Sequence, residues 1–293
     1  MSEFLQQVVS GLAAGGVYGS LALALVLIHR ATGVINFAQG EMATFTTYIA
    51  WTLTVNHGVP YWPAALITLL VAFAGGIGIH QVAIRPVEGG SVLRAVVVTI
   101  GLLIALNGLT SWIWSGETRS MKSPFGSGTL RIGDVAIAWQ DIGTIGVSLA
   151  VVGLLWALFQ TTKLGLALRA AATSPAQARL VGVRVPWMLS LGWGLAAVLG
   201  AISGLLVAYP ALDPNLMQAL LIYAFAAAVL GGIDSPIGAV VGGLIVGVGL
   251  NLLSAYVDFV GTDLRLPAAL VLILGVLLFK PAGLFGKQTV AKV

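Results

Sequence analysis

Cysteine is absent from the 293 residues, and charge is scarce: 14 Lys plus Arg and 10 Asp plus Glu amount to 8% of the chain. The missing thiols exclude a disulfide framework, thiolate catalysis and Cys-ligated metals. The missing charge excludes a water-soluble fold. Soluble domains carry about 25% charged and about 45–50% apolar residues, whereas this chain is 58% apolar without its 38 glycines. A formal charge of +4 would suit a nucleic-acid surface. The basic residues, however, sit scattered at the ends of apolar runs, which is the pattern of membrane topology. No nucleic-acid partner is expected; the lipid bilayer is.

Catalytic and metal motifs are equally thin. Gly286-Lys287 resembles the end of a phosphate loop, but Gln288 stands where Ser or Thr is required and Pro281 where the first Gly belongs. His29, His57 and His80 are separated from one another and from carboxylates at ligand spacing, so no metal site is expected. A Gly-x-Ser-x-Gly elbow does not occur. The sequence therefore predicts no enzyme and no cofactor on this chain.

What is present is a series of long apolar runs. A bilayer core is crossed by roughly 20 apolar residues in a helix. Nine runs qualify at least nominally: 6–28, 38–55, 63–84, 93–114, 141–161, 187–209, 217–232, 237–257 and 266–280. Three of these (38–55, 217–232 and 266–280) are short, as tilted or re-entrant segments are. The predicted class is an all-α polytopic membrane protein with about 8–9 transmembrane helices. Met1-Ser2-Glu3-Phe4 carries no Lys or Arg, so the first run reads as a span and not as a cleavable signal.

Orientation follows from charge. Alternating from an outside N-terminus places Arg30, Arg85, Arg94, Lys163, Arg169, Arg179, Arg184, Lys280, Lys287 and Lys292 inside, ten of the 14 basic residues. Glu3, Glu117, Asp134, Asp141, Asp213, Asp258 and Asp263 fall outside, seven of the ten acidic residues. N-terminus outside and C-terminus cytoplasmic is the expectation. Two loops are long: an outer one over 115–140, with weak alternation fitting a short hairpin, and an inner one over 162–186.

Small residues four apart recur in the spans: Gly15 and Gly19, Gly200 and Gly204, Gly238 and Gly242, Gly243 and Gly247, with Ala196 extending the Gly200 ladder. In lipid, helices associate through close backbone approach at such residues. Packing within the chain is the expected use.

Polar side chains inside apolar runs are costly and hence functional candidates. Glu41 is the clearest, in the interruption from Gly33 through Asn36 and Gln39. It reads either as a carboxylate at a helix start or as part of a broken helix lining a cavity. Thr99, Asn107 and Asn251 are the mid-span polar residues, for which interhelical hydrogen bonds are the commoner explanation. Asn36, Gln39, Glu41, Thr99 and Asn107 are the candidates for a translocation path.

The inner loop predicts two short helices. Ser174 suits an N-cap, Pro175 the first helical position and Gly182 the left-handed stop. An Ala-rich helical stretch precedes them. A basic knob faced with small residues can either enter a groove on a partner or lie as an ordinary interfacial turn.

These segments together resemble a known family. They include Gly15-Gly16-Val17-Tyr18-Gly19, Gly33-Val34-Ile35-Asn36-Phe37-Ala38-Gln39-Gly40-Glu41, Arg85-Pro86-Val87 and the 165–182 loop. They continue through Gly231-Gly232-Ile233-Asp234-Ser235-Pro236 and Lys280-Pro281-Ala282-Gly283-Leu284-Phe285-Gly286. The chain is similar to the shorter of two permease types of branched-chain amino acid ABC importers. Gln39 stands where family members usually carry His, and Asp234 where a smaller or uncharged residue is common. The resemblance implies a single permease domain over 1–293 in a bacterial inner membrane. It implies two cytoplasmic ABC ATPase subunits that hold ATP and Mg, a second permease, homologous or identical, and a periplasmic or surface solute-binding protein. It makes the 165–182 loop the ATPase-coupling segment, with Gly165, Arg169, Ala170, Ala171, Ser174, Pro175, Ala176 and Gly182 as the carried-over positions. Closely similar permeases serve urea and short-amide importers, and the sequence leaves that alternative open. A self-sufficient secondary carrier or channel is the competing class; it expects coupling carboxylates near midplane, where Glu41 alone is a candidate.

Overall fold

The computed structural model describes residues 2–133, 135–261 and 263–286. Met1, Asp134, Lys287, Gln288 and Lys292, used above for the signal, orientation and phosphate-loop readings, lie outside the described residues. The chain is mostly helical, because a backbone in lipid must satisfy its own hydrogen bonds. In chain order the helices are α1 (Ser2–Thr32), α2 (Gln39–Trp51), α3 (Tyr61–Ile79), α4 (Val92–Trp114), α5 (Trp139–Thr161), α6 (Lys163–Thr173), α7 (Pro175–Leu180), α8 (Val185–Val207), α9 (Leu216–Gly231), α10 (Pro236–Tyr256) and α11 (Arg265–Phe279).

Among the described residues six segments are long and apolar enough to cross a membrane: Ser2–Thr32, Tyr61–Val87, Val92–Trp114, Trp139–Thr161, Val185–Val207 and Pro236–Tyr256. They coincide with the six longer runs of the sequence. The three short runs come out as α2, α9 and α11, each under 18 residues. The π-turn Thr52–Asn56 extends α2, and the turns His80–Ile84 and Arg85–Val87 extend α3.

The all-α expectation needs one correction: four short strands are present among the described residues. Strands β2 (Thr129–Ile132) and β3 (Val135–Ala138) form the hairpin expected in the outer loop, pairing Thr129 with Ala138 through Ile132 with Val135. The other two were not foreseen. Strand β1 (Arg119–Ser120) pairs antiparallel with β4 (Ala211–Leu212). Dipeptides so short and so far apart leave no periodic trace in a sequence.

Contacts divide the chain into two compact units. Unit 1 comprises residues 1–26, 125–149 and 219–293, and unit 2 comprises 27–124 and 150–218. In unit 1 the glycine pairs of α1 and α10 face each other. A Cβ on Gly15 would lie 2.8 Å from Gly243 O and Leu244 Cα, and one on Gly11 would lie 2.8 Å from Val248 Cα. Asn251 of α10 donates to Gln7 O at 2.7 Å and Gln7 Oε1 at 2.8 Å, and accepts from Arg265 of α11 at 2.5 Å. Asn251 thus makes the interhelical bonds expected of it.

Two of the motif segments also meet in unit 1. Leu284 N donates to Leu230 O at 2.8 Å and Phe285 N to Gly231 O at 2.9 Å, so the chain after α11 satisfies carbonyls at the end of α9. Gly283, at φ +73°, is needed there twice over: a Cβ would also stand 2.5 Å from Gly232 N.

Unit 2 is organised around α8, which packs on both α2 and α3. The α3 seam again needs small residues, since a Cβ on Gly76 would lie 2.7 Å from Trp193 O and Ala197 Cβ. Tyr48, Trp51, Leu205 and Leu212 form one apolar cluster, and Met42, Ala72, Ala197 and Ala201 another.

Candidate functional site

Two groups of residues in unit 2 concentrate the polar chemistry, and both fall where the sequence drew attention. The first begins at the break between α1 and α2. Gly33, at φ +71°, ends α1 with its N–H on His29 O at 2.7 Å. Asn36 then turns the chain: its Oδ1 accepts from Ala38 N at 3.0 Å, and its amide donates to Gln39 Oε1 at 3.2 Å. Gln39 Nε2 donates to Ala196 O of α8 at 2.8 Å. That carbonyl already serves the helix ladder and accepts here on its second lone pair. Asn36 and Gln39 are both fully buried, with their amides engaged inside the protein.

Two residues on, Glu41 is only 2% exposed. Its Oε2 accepts from Asn107 Nδ2 of α4 at 3.2 Å. The same Asn107 nitrogen reaches Pro214 O at 3.3 Å and Asn215 Oδ1 at 3.2 Å, so two amide hydrogens are divided among three acceptors. Gln218 Nε2 donates to Asn215 Oδ1 at 2.8 Å. The fold therefore joins Glu41 with Asn107 and adds Asn215 and Gln218, which sequence reasoning missed. Thr99 is not part of this group: its hydroxyl returns to Val96 O of its own helix at 2.9 Å. A carboxylate beside several carboxamides offers acceptors for an ammonium group and N–H donors for a carboxylate.

The second group is the inner loop, where α6 and α7 form the expected pair of short helices. Pro175 stands at the first turn of α7, and Gly182 takes φ +83° after it. The expected side-chain cap by Ser174 is not made. Ser174 instead links the helices through its backbone, its N–H on Ala170 O at 3.0 Å and its carbonyl accepting from Ala178 N at 2.9 Å. The side-chain cap of this region belongs to Thr162, whose Oγ1 accepts from Gly165 N at 3.0 Å and opens α6.

The small residues of the loop divide into two sets. Gly165 is seated on the end of α5, where a Cβ would run into Leu158 O and lie 2.6 Å from Phe159 Cα. Ala171 is fully buried with Ala178 and Val185, and Ala170 packs beside them. Arg169 reaches back to Gln160 Oε1 at 3.3 Å. Pro175, Ala176 and Gly182 are exposed, as are Leu180 at 87% and Val181 at 78%. The small faces thus serve the knob's own packing as much as its outer surface.

His80 also differs from its sequence reading. The fold brings Glu88 to it, Oε1 lying 2.7 Å from Nε2, while Nδ1 lies 2.8 Å from Ser190 Oγ. His80 is fully buried and its ring tilts against Trp193 at 6.0 Å between centroids. Two protein partners occupy the two ring nitrogens. Among the described residues no group of three or more His, Asp or Glu side chains could hold a metal ion.

The series of long apolar helices is that of a multi-pass membrane protein. The chain belongs to the branched-chain amino acid transport system permease component family, whose model matches residues 7–280. The high-affinity branched-chain amino acid transport system permease protein BraD of Pseudomonas aeruginosa is 31% identical over 306 residues, covering 99% of this chain and 98% of its own. The corresponding permease protein LivH of Escherichia coli K12 is 30% identical over 305 residues with the same coverage. A probable LivH of Methanocaldococcus jannaschii is 30% identical over 280 residues, 91% of this chain and 87% of its own. These relatives are named for amino acid transport, and none of the three for urea or amides.

Proposed function

We propose that this chain is the permease subunit of an ATP-driven importer of branched-chain amino acids. The observation that carries the reading is the family match along nearly the whole chain. It acts as a single transmembrane domain over 1–293 of a bacterial inner membrane, with α9 and α11 joining the six long segments to give 8 crossings and α2 as the further short candidate. Its N-terminus lies outside and its C-terminus in the cytoplasm, in keeping with the basic residues gathered in the inner loops. Two ABC ATPase subunits carry the ATP and Mg, a second permease completes the membrane portion, and a solute-binding protein delivers the amino acid.

The knob formed by α6 and α7 is the ATPase-docking element. Its exposed outer surface (Pro175, Ala176, Leu180 and Val181) is what a partner touches, while Gly165, Arg169, Ala170 and Ala171 hold the knob to α5 and α8. ATP binding favours one permease state through contacts that differ between states at this surface. The Glu41 and Asn107 group, with Asn215 and Gln218, lies on the solute path, the carboxylate facing the α-ammonium group and the amides facing the carboxylate.

The docking reading is tested in the reconstituted full transporter. Leu180→Glu combined with Val181→Glu is expected to reduce ATP-driven uptake at least tenfold, with insertion and thermal stability unchanged because both side chains are exposed. Uptake by the purified chain alone, driven by an ion gradient, would overturn it. For the path, Glu41→Gln is expected to keep the hydrogen bond from Asn107 and lower uptake about tenfold, the scale of one lost charge contact. Unchanged uptake by that variant removes Glu41 from the path.

A further inference from the structure

A cavity of about 440 Å³ opens in unit 2 at the turn from α7 into α8, and transport as described above does not use it. Its lining includes Gln81, Arg85, Arg179, Arg184, Trp187 and Ser190. The three arginines come from separate places: Arg85 from the turn that ends the α3 segment, Arg179 from α7, and Arg184 from the turn before α8. All three are exposed, and among the described residues none has a side-chain hydrogen bond or an ion pair. Glu88, the acidic residue of the neighbouring turn, does not line the cavity, and its carboxylate lies against His80. Three like charges gathered around one opening repel one another, and an anion reverses that repulsion.

The position in the chain defines the anion. The cavity sits where one membrane-length segment, Tyr61–Val87, ends and another, Val185–Val207, begins. That is the depth of lipid headgroups. Trp187, 46% exposed, stands at the rim as interfacial tryptophans do, and Val183 and Pro186 add apolar lining. Guanidinium forks match phosphate oxygens two at a time, and basic pockets between membrane helices take anionic headgroups.

We propose that this cavity binds the phosphate of an anionic phospholipid of the phosphatidylglycerol or cardiolipin class. Arg85, Arg179 and Arg184 hold the phosphate oxygens, and Trp187 faces the glycerol and first methylenes. A bound lipid links the end of α3 to α7 and stabilises the knob. The proposal requires the membrane-spanning fold and not the docking of α7 on an ATPase, so either can fail without the other.

The test uses the full chain, purified and delipidated in a zwitterionic detergent, with thermal unfolding followed by tryptophan fluorescence. Phosphatidylglycerol and cardiolipin are expected to raise Tm in a saturable, salt-sensitive manner, and phosphatidylcholine is not. Single Arg→Gln changes at 85, 179 or 184 are each expected to weaken the apparent affinity about fivefold, the scale of one basic residue at a charged membrane surface. The triple variant is expected to lose the shift while keeping its Tm in phosphatidylcholine. Should the triple variant not fold, the double variant R179Q/R184Q at two exposed positions carries the test, read as loss of retained anionic lipid in native mass spectrometry. Equal shifts with all lipids, or shifts that survive these substitutions, overturn the proposal. An equal shift with inorganic phosphate alone assigns the site to free phosphate and overturns the lipid. Loss of ATPase co-purification in the variants with the lipid shift intact assigns the arginines to a protein partner and overturns it as well.

Discussion

Glycine brings helix backbones together in both units, yet the seams it makes differ. Between α1 and α10, Gly11, Gly15, Gly243 and Gly247 meet backbone to backbone, so at these glycines adhesion comes from dispersion and weak Cα–H···O contacts, with the Asn251–Gln7 hydrogen bonds at one end of the seam. Between α2 and α8, Gly200 and Gly204 make room for side chains, the Gln39 amide and the Thr47 hydroxyl. The first seam has nothing flexible to yield when a methyl group is added. The second can exchange a methyl against a polar group that is able to withdraw. Spacing alone does not tell the two apart, because both carry the same small-xxx-small pattern.

The largest effect expected from this difference is at Gly15. Gly15→Val places new carbons on the Gly243 carbonyl and Leu244 Cα, so a loss of about 3 kcal/mol or more is expected, at the upper end for overpacking. Recovery of monodisperse protein and its Tm in detergent are the readouts, and wild-type behaviour of the variant would refute a rigid backbone seam. A smaller effect is expected at Gly200. Its added Cβ would lie 2.7 Å from Gln39 Nε2, so Gly200→Ala should cost about 1–3 kcal/mol. Gln39→Ala alone should cost about 1–3 kcal/mol, for the bonds to Ala196 O and from Asn36. Together the changes should cost less than their sum, by about 1 kcal/mol, since the shortened side chain vacates the space the new methyl needs. Strict additivity in denaturation would show that the seam does not depend on the amide. The smallest effect lies off the seam. Ser235 Oγ accepts from Gly238 N at 3.0 Å and caps α10, so Ser235→Ala should cost about 1 kcal/mol without altering either seam. A loss as large as that of Gly15→Val would mean that the cap, and not the glycines, sets the position of α10.

The span pattern was legible because lipid imposes it: roughly 20 apolar residues leave a mark no soluble core imitates. The three weaker runs were weak for a structural reason, since α2, α9 and α11 are short helices. Glu41 and Asn107 stood out as polar residues in apolar surroundings. Their companions did not: beside Asp213 and Pro214, Asn215 looks like an ordinary turn residue, and Gln218 falls at the edge of the 217–232 run, where a polar side chain draws no attention. The partner of Gln39 is a backbone carbonyl, which has no sequence signature. In the inner loop Pro175 and Gly182 announced α7 correctly, but Thr162 and Ser174 are equally good caps on paper, and only Thr162 makes the bond. The same ambiguity hid the burial of Gly165 and Ala171, because smallness serves an inward face and an outward face alike.

Gln39 holds α2 against α8 with a carboxamide, a group that neither gains nor loses a proton in ordinary media. A histidine in its place would make the grip of this joint a function of acidity. In this protein the joint has no titrating group of its own, so an acid sensitivity of the α2–α8 contact would have to come from another side chain.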